Sequence, residues 1–466
     1  MLNLLAPGSR LCDGITRRQA LCAGGLSALG LTMPQLLRSQ ARASEAGRPT
    51  SKAKRCIVLF LMGGPPQHST WDPKPEAPEN IRGPFRPISS SVPGIQFGEL
   101  MPRLAQQAHR LCVLRAVSTG DNAHSSSGYY MLTGRPHAPM NSENAKPGAP
   151  NDWPFLGAVV QALHQEPRTL PTSVRLPMRI FNTDGSVWPG QDSGFLGRKA
   201  DPWLLRCEPT PAGFRIPDFS LAADVAPDRL DGRQSLLTRV NDRIIQVDRS
   251  GTLDRYDRQT HQAFDLLRSA SARQAFDLSL EAPSMRERYG LSPFGQSVLL
   301  SRRLIEAGVN LVHVNWYRGA DEPADNPCWD SHTNEVPRLK EVLLPPMDQA
   351  FATLLDDLDQ RGILDETLVV CMSEFGRTPR FNPRGGREHW GPVFSIAMAG
   401  GGVRGGQVYG ASDAIGGEPK DGRVRPEDLT ATIFHALGYS ADTEVHDSFG
   451  RPYAISRGQV IRQVFA

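Results

Sequence analysis

The chain has 466 residues, with 52 Lys and Arg against 49 Asp and Glu and a formal net charge of +3. Residues 1–43 carry five arginines and one aspartate, so the rest of the chain is close to neutral. It lacks the basic surface that nucleic-acid binding requires. A hydrophobic content of 39% supports a packed core, and this length predicts one large domain with insertions or two subdomains.

The N-terminal sequence predicts export. Arg17-Arg18 precedes a short stretch rich in Ala, Gly and Leu, and Ala41-Arg42-Ala43 follows as a small-x-small cleavage site. This pattern predicts a twin-arginine signal over residues 1–43 and a mature domain, residues 44–466, in the periplasm or cell envelope. The apolar stretch is shorter than the ~20 residues of a spanning helix, so no transmembrane span is predicted. An ordinary amphipathic helix is the alternative.

Two buried strands with a helix between them begin the predicted sheet. The apolar run Arg55–Met62 ends in Gly-Gly-Pro-Pro, and Leu111–Val117 is a second such run. Because Leu100–Ala108 has a helical pattern, the three segments form a β-α-β unit. That unit is typical of a mainly parallel sheet and of the α/β class.

The middle of the chain has a different composition. Residues 137–220 are rich in Pro, Gly, Asn and Asp, and residues 227–282 predict two polar helices. We interpret residues 137–282 as an insertion that covers one end of the sheet. Cys207 and Cys328 lie in loop-like sequence and are candidates for a disulfide, although their spacing indicates no disulfide framework.

The alternation of helix and strand returns in the last third of the chain. Helices are predicted at Phe294–Gly308, Met347–Arg361 and Glu427–Leu437, and strands at Asn310–Trp316, Leu368–Met372 and Phe394–Met398. Together with the first β-α-β unit, these segments predict a single mainly parallel sheet.

Acidic and imidazole side chains lie next to the predicted strands. Asp330 and His332 come after one strand, Glu374 follows another directly, and His389 precedes a third. Ligand sites in open α/β sheets form outside the carboxyl ends of the strands. Carboxylates and imidazoles are ligands for divalent metals. We therefore predict that these four side chains hold a divalent cation, which could be Zn, Ca, Mg or Mn.

Each of these motifs also has a structural interpretation. Asp330 and His332 could form an Asx turn beside a solvent-exposed imidazole. Glu374, a carboxylate that is costly to bury alone, could pair with Arg377. His389 could be a hydrogen-bonded structural residue. Their shared position at one edge of the sheet favours the metal site.

The loops after the first two strands supply further candidates. Ser125 or Ser126, beside His124 at a predicted helix start, is a candidate nucleophile, with helix capping as the alternative. Asp72, after the first strand, is a candidate metal contact or a turn residue.

The two arginines near the predicted metal ligands are candidates for substrate binding. Arg377 or Arg387 would neutralise an anionic ester group, because a guanidinium grips such oxygens with two hydrogen bonds.

Several motifs together resemble a known family. GGPPQHSTWDPKP, HSSSGYYMLTGRP, WDSH, SEFGRTP, GREHW and GGGVRGGQVYGASD occur in this order after the twin-arginine start. They resemble the family called domain of unknown function 1501, which is grouped with the alkaline phosphatase and sulfatase superfamily. The resemblance implies a three-layer α/β/α sandwich of alkaline-phosphatase-like architecture. It also implies descent from enzymes that cleave phosphate or sulfate esters with two metal ions and an activated hydroxyl.

The resemblance also implies roles for individual residues. Asp330, His332 and His389 match the ligands of one metal in that superfamily, and Ser125 or Ser126 is the nearest equivalent of its nucleophile. The sulfatase signature Cys/Ser-x-Pro-x-Arg, whose first residue becomes formylglycine, is absent from this sequence.

The second metal of the superfamily is less well matched. Glu374 stands where the superfamily has an Asp, Phe375 where it has a His, and Ser69 where related sequences have an acid. Asp72 either reaches this position instead or leaves it without an acid. The resemblance therefore implies a second site that is weak or empty.

The sequence thus predicts an exported, metal-dependent hydrolase of phosphate or sulfate esters. Its substrate would be an anionic ester, with a sulfated or phosphorylated glycan as one form. The alternative is a non-catalytic envelope protein of the same fold with at most one structural metal, which Ser69 and Phe375 favour.

Overall fold

The computed structural model describes residues 53–164, 169–210, 213–215, 269–319 and 326–465, together with residue 322 and isolated positions between 229 and 239. The predicted export signal, residues 1–43, lies outside the described residues. So do most residues of the two polar helices predicted within 227–282.

An eight-stranded sheet lies at the centre of the described structure. Its strands are β1 Arg55–Phe60, β2 Leu111–Val117, β3 Ser173–Leu176, β4 Trp203–Leu204, β5 Leu311–Asn315, β6 Thr367–Met372, β7 Phe394–Ala399 and β8 Gln407–Tyr409. Their spatial order is β8-β2-β7-β6-β1-β5-β3-β4. Every pairing is parallel except the two that β7 makes with β6 and β2. The predicted mainly parallel sheet is confirmed.

The described helices are α1 Glu79–Arg82, α2 Pro102–Gln106, α3 His124–Thr133, α4 Leu156–Leu163, α5 Ala270–Phe276, α6 Pro283–Tyr289, α7 Pro293–Glu306, α8 Glu335–Arg338, α9 Leu344–Gln360 and α10 Pro426–Ala436. A π-helical turn, Leu339–Leu343, joins α8 to α9. Short antiparallel ribbons pair Pro87–Ser89 with Gln96–Gly98, Glu208–Thr210 with Gly213–Arg215, Gly376–Arg377 with His389–Trp390, Ala411–Ser412 with Pro419–Asp421, and Glu444–His446 with Pro452–Ala454.

The helices cover the sheet in two groups, which gives the three-layer α/β/α sandwich that the sequence predicts. In one group, α7 packs on β1 and β5, α9 packs on α7, and α2 and α6 pack on α9. In the other, α4 packs on β3 and β5, and α3 packs on α10. Among the described residues, no helix combines the length and the apolar composition that crossing a membrane requires.

The apolar face of α9 shows why this helix forms where the sequence predicts it. The residues of this face recur every three or four positions, the spacing of one face of a helix. All of them are fully buried: Met347, Ala350, Phe351, Leu354, Leu355 and Leu358. Gly362, just after the helix, has a φ of 69°, the left-handed conformation that commonly ends a helix.

The middle of the chain contributes more to the sheet than the sequence predicts. β3 and β4 extend the central sheet beyond β5, and α4 packs against both β3 and β5. The segments 156–163, 173–176 and 203–204 of the expected insertion therefore belong to the main α/β fold. Cys207 and Cys328 are both buried free thiols, so the considered disulfide is wrong.

The loops that carry the candidate metal ligands lie at one edge of the sheet. β1, β2, β5 and β6 are mutually aligned, so their carboxyl ends meet at this edge. Because β7 is antiparallel to its neighbours, its amino end lies at the same edge. His389, which precedes β7, thereby reaches the loops that carry Asp330 and Glu374.

Candidate functional site

Asp330 lies at the centre of a cluster of imidazoles at this edge. Its Oδ1 atom is 3.0 Å from His332 Nε2 and 3.1 Å from His389 Nε2, and its Oδ2 atom is 3.1 Å from His124 Nε2. Arg377 Nη2 also donates to Oδ1. Burial by itself raises the pKa of Asp330, but His124 and Arg377 outweigh it and hold the pKa well below its usual range. The carboxylate is therefore charged at neutral pH.

His332 and His389 present the same ring nitrogen to Asp330. His332 Nδ1 lies 2.5 Å from Glu388 Oε2, and His389 Nδ1 lies 2.7 Å from the carbonyl oxygen of Asn122. Because both partners are acceptors, each Nδ1 carries a proton. The two Nε2 atoms are 3.0 Å apart, and both face Asp330 Oδ1. Each Nε2 donates a hydrogen bond to this oxygen when it is protonated and offers a lone pair to a cation when it is not.

These three atoms have the spacing of metal ligands. His332 Nε2, His389 Nε2 and Asp330 Oδ1 are 3.0 to 3.1 Å from one another. Two ligands at ~2.0–2.1 Å from a tetrahedral zinc ion lie about 3.3–3.4 Å apart. A small outward movement of the side chains would therefore admit a cation between the three atoms.

His124 bridges two carboxylates. Its Nε2 atom lies 3.1 Å from Asp330 Oδ2, and its Nδ1 atom lies 2.7 Å from Glu374 Oε1. Burial alone lowers the pKa of His124, but the two carboxylates outweigh it and raise the pKa to about 10. His124, Asp330 and His389 also offer ligand atoms within 4.8 Å of one another. For His124 to bind a metal, however, one of its ring nitrogens must first lose a proton.

Glu374 is fixed by the loops after β1 and β6. Oε1 accepts a hydrogen bond from Gly63 N at 2.8 Å, and Oε2 accepts one from Ser373 Oγ at 2.7 Å. Gly63 has a φ of 113°, and a Cβ there would lie 2.3 Å from Asp330 N. Only glycine lets the β1 loop approach so closely. Glu374 thus contacts the cluster through His124 rather than through His332 or His389.

Phe375 forms an apolar wall of the cluster. Its ring stacks on His389, with centroids 4.5 Å apart, and packs against His124 at 4.8 Å. Phe375 therefore orients two imidazoles and offers no ligand atom.

Arg377 is a structural residue in this arrangement. It is fully buried, and its guanidinium donates to the carbonyl oxygens of Gly63, Gly64, Trp329 and Arg387 as well as to Asp330. It fastens the loops after β1 and β5 to the chain ahead of β7. Because the guanidinium is buried against these oxygens, the predicted role of Arg377 in binding an anionic ester does not fit the structure.

Arg387 also lies away from any open space. Its Nε atom donates to Glu335 Oε1 at 3.0 Å, and both side chains are fully buried. The other guanidinium nitrogens donate to the carbonyl oxygens of Ile81, Thr378 and Pro379. The expected anion-binding role of Arg387 is corrected for the same reason as that of Arg377.

The two serines of α3 do not face the cluster. Ser125 Oγ donates to Ser142 O at 2.9 Å and accepts from Ala145 N at 3.0 Å. Ser126 Oγ accepts from Ser142 N at 2.9 Å, and both serines are fully buried. They connect α3 to the loop beside it, so neither is placed as the predicted nucleophile.

The helix cap expected from these serines is made by another residue. The side chain of Glu143 accepts a hydrogen bond from His124 N at 3.0 Å, and it lies 3.4 Å from His389 Nδ1. Glu143 therefore satisfies the first turn of α3 and stands beside the imidazole cluster.

Asp72 belongs to a separate ionic cluster. Its Oδ1 atom lies 3.0 Å from Lys74 Nζ and 3.4 Å from Arg115 Nε, and Ser412 Oγ donates to its Oδ2 atom. These contacts occupy the buried carboxylate, so the structure does not bring the predicted ligand Asp72 to the imidazoles.

A cavity of about 410 Å³ opens above the cluster. The side chains that line it come from α3, from the loops around residues 143 and 183, and from the segments after β5 and before β7. They include His124, Glu143, Asn144, Phe181, Asn182, Thr183, Asp184, Trp188, Arg318, Asp330, His332 and His389. Sequence reasoning missed Glu143, Asp184, Glu388 and Arg318. Of these, only Glu388 carried a signal, as the neighbour of His389 in GREHW.

Comparison with known proteins identifies the family of the sequence. A model of the family described as "Protein of unknown function (DUF1501)" matches residues 53–465, which confirms the resemblance drawn from the motifs. No curated protein matches the sequence.

Some solved structures share part of the shape. A sulfatase from Pseudoalteromonas sp. is 13% identical, with 87% of this chain and 70% of that chain covered and a TM-score of 0.38. A phosphonate monoester hydrolase from Silicibacter pomeroyi is 14% identical, with 88% and 76% covered and a TM-score of 0.38. An alkaline phosphatase superfamily protein from Vibrio parahaemolyticus is 7% identical, with 84% and 69% covered and a TM-score of 0.37. Similarities of this degree carry no argument about what this chain binds or catalyses.

The contacts of Arg377 predict a large effect on stability. Arg377→Gln leaves Asp330 without its buried guanidinium partner and is expected to lower the free energy of unfolding by about 3–5 kcal/mol. Arg384→Gln is the matched control, because Arg384 is exposed and lies 3.8 Å from Glu388. It should change stability by less than about 1 kcal/mol. Urea denaturation measures both, and equal stabilities of the two variants would contradict the structural role of Arg377.

Proposed function

We propose that this chain, which belongs to the DUF1501 family, is a metal-dependent hydrolase that cleaves phosphate or sulfate esters. The observation that carries the proposal is the convergence of His332 Nε2, His389 Nε2 and Asp330 Oδ1, 3.0 to 3.1 Å from one another. Three protein ligands that leave a position open toward a cavity are typical of catalytic zinc sites.

The donor set suits a particular class of cation. Two neutral imidazoles and one carboxylate favour zinc over calcium or magnesium, which prefer sites made of oxygen ligands. Glu388 and the carbonyl oxygen of Asn122 hold the two rings by their Nδ1 atoms, as residues around metal ligands commonly do. This support argues that the rings are oriented for ligation in advance.

The bound cation would polarise an ester oxygen and lower the pKa of a bound water molecule. The protein supplies the orientation and the charge around it. Arg377 holds Asp330 in place, and Phe375 covers one side of the rings of His124 and His389. Since both nitrogens of His124 are bonded to carboxylates, this imidazole keeps its protons at neutral pH. It therefore acts as a cation and donor rather than as a base.

One alternative is a non-catalytic envelope protein with a single structural metal. Ser125 and Ser126 point away from the cavity, and Phe375 replaces a ligand of the second metal. Asp72 is bound elsewhere. These observations favour at most one cation and remove the hydroxyl nucleophiles that the sequence suggested. The two functions differ in turnover, not in metal binding.

We also propose export to the periplasm or envelope. The support is the sequence of residues 1–43, with its paired arginines and small-x-small site. These residues lie outside the described part of the chain.

Metal binding depends on the three converging atoms. We expect the purified protein to bind zinc tightly and Asp330→Asn to lose this binding. Glu388→Ala should weaken it about 10–100-fold, because His332 loses the acceptor that orients it. His109→Ala is the control, since His109 lies in an exposed turn before β2. Competition against a chromophoric chelator measures these affinities, and an Asp330→Asn variant with unchanged affinity would overturn the proposed site.

Turnover distinguishes the enzyme from the structural alternative. The zinc-loaded protein is expected to hydrolyse an aryl phosphate or an aryl sulfate, and Asp330→Ala is expected to reduce the rate to that of the metal-stripped protein. Release of the coloured phenol measures both, with circular dichroism to check that the variant is folded. Tight zinc binding without turnover of any ester would support the non-catalytic alternative.

Export is tested separately from chemistry. Residues 1–50 fused to a folded fluorescent reporter should carry it to the periplasm. The double substitution Arg17→Lys and Arg18→Lys should block this transport, whereas Arg10→Lys should not. Fractionation of cells measures the outcome, and transport that ignores both paired arginines contradicts a twin-arginine signal.

A further inference from the structure

The cavity above the imidazole cluster contains one basic side chain of the Lys or Arg type among the described residues that line it, that of Arg318. Its guanidinium lies over the ring of Phe181, 5.0 Å from the centroid, and its Nη1 atom donates to Phe181 O at 3.3 Å. These contacts fix the plane of the guanidinium and use one of its five N–H donors. Its other donors have no hydrogen-bond partner among the described residues.

Arg318 thus has the position near the candidate metal ligands that the sequence analysis predicted for Arg377 or Arg387. It shares its cavity with Asp330, His332 and His389. The two sequence candidates, in contrast, are buried against backbone carbonyls. A planar guanidinium with donors that no described residue uses matches two oxygens of a phosphoryl or sulfuryl group. An oxyanion in this cavity could therefore bind one guanidinium group in addition to a cation held by the candidate metal ligands.

Two carboxylates, those of Asp184 and Glu143, line the same cavity. Asp184 Oδ1 accepts from Ser186 N at 2.9 Å and from Ser186 Oγ at 2.6 Å, which fixes Asp184 in a turn. The Glu143 carboxylate accepts a hydrogen bond from His124 N at 3.0 Å. Each of the two carboxylates is therefore held by a backbone N–H group.

We propose that Arg318 binds the anionic group of the substrate and that the cavity selects esters with one negative charge, such as sulfate monoesters or phosphodiesters, over dianionic phosphate monoesters. This inference rests on the proposed function of the same site. The positive charges of the bound cation, His124 and Arg377 lie beside the carboxylates of Asp330, Glu374 and Glu388 and are largely compensated by them. Arg318 then supplies one positive charge to the ligand, and the carboxylates of Asp184 and Glu143 repel a second negative charge on it. Such repulsion is a common means of rejecting a competing ligand.

The test uses binding rather than turnover. Benzylsulfonate and benzylphosphonate share one aryl group and lack a bond that ester hydrolysis can break. At alkaline pH the phosphonate carries two charges and the sulfonate one. Calorimetry on the zinc-loaded protein is expected to show that the sulfonate binds about tenfold more tightly. Tighter binding of the phosphonate, or no measurable binding of either compound, overturns the inference.

Variants assign the preference to named side chains. Arg318→Gln should weaken sulfonate binding about tenfold or more, since a charged hydrogen-bonded pair is lost. Arg318→Lys keeps the positive charge but cannot donate two parallel hydrogen bonds. Its affinity for the sulfonate should therefore lie between that of the unsubstituted protein and that of Arg318→Gln. Asp184→Asn, whose side-chain oxygen can still accept from Ser186, should improve phosphonate binding more than sulfonate binding. Arg404→Gln, exposed on the chain after β7 at the opposite edge, should change neither.

The outcomes separate this inference from the proposed function. Binding that depends on Arg318, in a protein that hydrolyses no ester, leaves the inference standing while the hydrolase proposal fails. The opposite outcome is a protein that hydrolyses an ester but whose affinities for the sulfonate and the phosphonate do not change in Arg318→Gln. In that case the enzyme is supported and the role of Arg318 is wrong.

Discussion

The buried carboxylate of Asp330 is the constraint on which the rest of the site depends. A carboxylate taken out of water without partners costs several kcal/mol, so the surrounding residues must compensate its charge. Arg377 does so while it fastens the loops after β1 and β5, and His124 does so while it bridges to Glu374. Two further imidazoles, His332 and His389, direct their Nε2 atoms toward the same oxygen. In this position the three atoms have the spacing of ligands to a single cation.

The fold could be predicted from the sequence because its signals are local. Continuous apolar runs predicted the strands that are buried on both faces, and the spacing of apolar residues predicted helix α9. The predicted ends of these elements lie within three residues of the observed ends. The edge where the candidate ligands meet was also predicted, from their positions beside the strands. His389 reaches it because β7 runs antiparallel, a property of the pairing that no local pattern contains.

The direction of each polar side chain could not be predicted in the same way. The motifs gave Arg377, Arg387, Ser125 and Asp72 functional roles, but each is bonded to backbone or ionic partners from distant parts of the chain. Arg318 was missed because it lies in a loop whose sequence has no periodicity. Its orientation toward the cavity depends on its contact with Phe181, which is distant in the sequence. The strands β3 and β4 were missed because short runs in a Pro- and Gly-rich region resemble loops. Tertiary contacts decided all of these cases.

X-ray absorption at the zinc edge of the metal-loaded protein tests the central claim most directly, because it reports the atoms that touch the ion. The account predicts a first shell with two imidazole nitrogens and a carboxylate oxygen at ~2.0–2.1 Å. In Asp330→Asn and His389→Ala, this shell should be lost. A shell of water oxygens alone, or one that contains sulfur, would contradict the account.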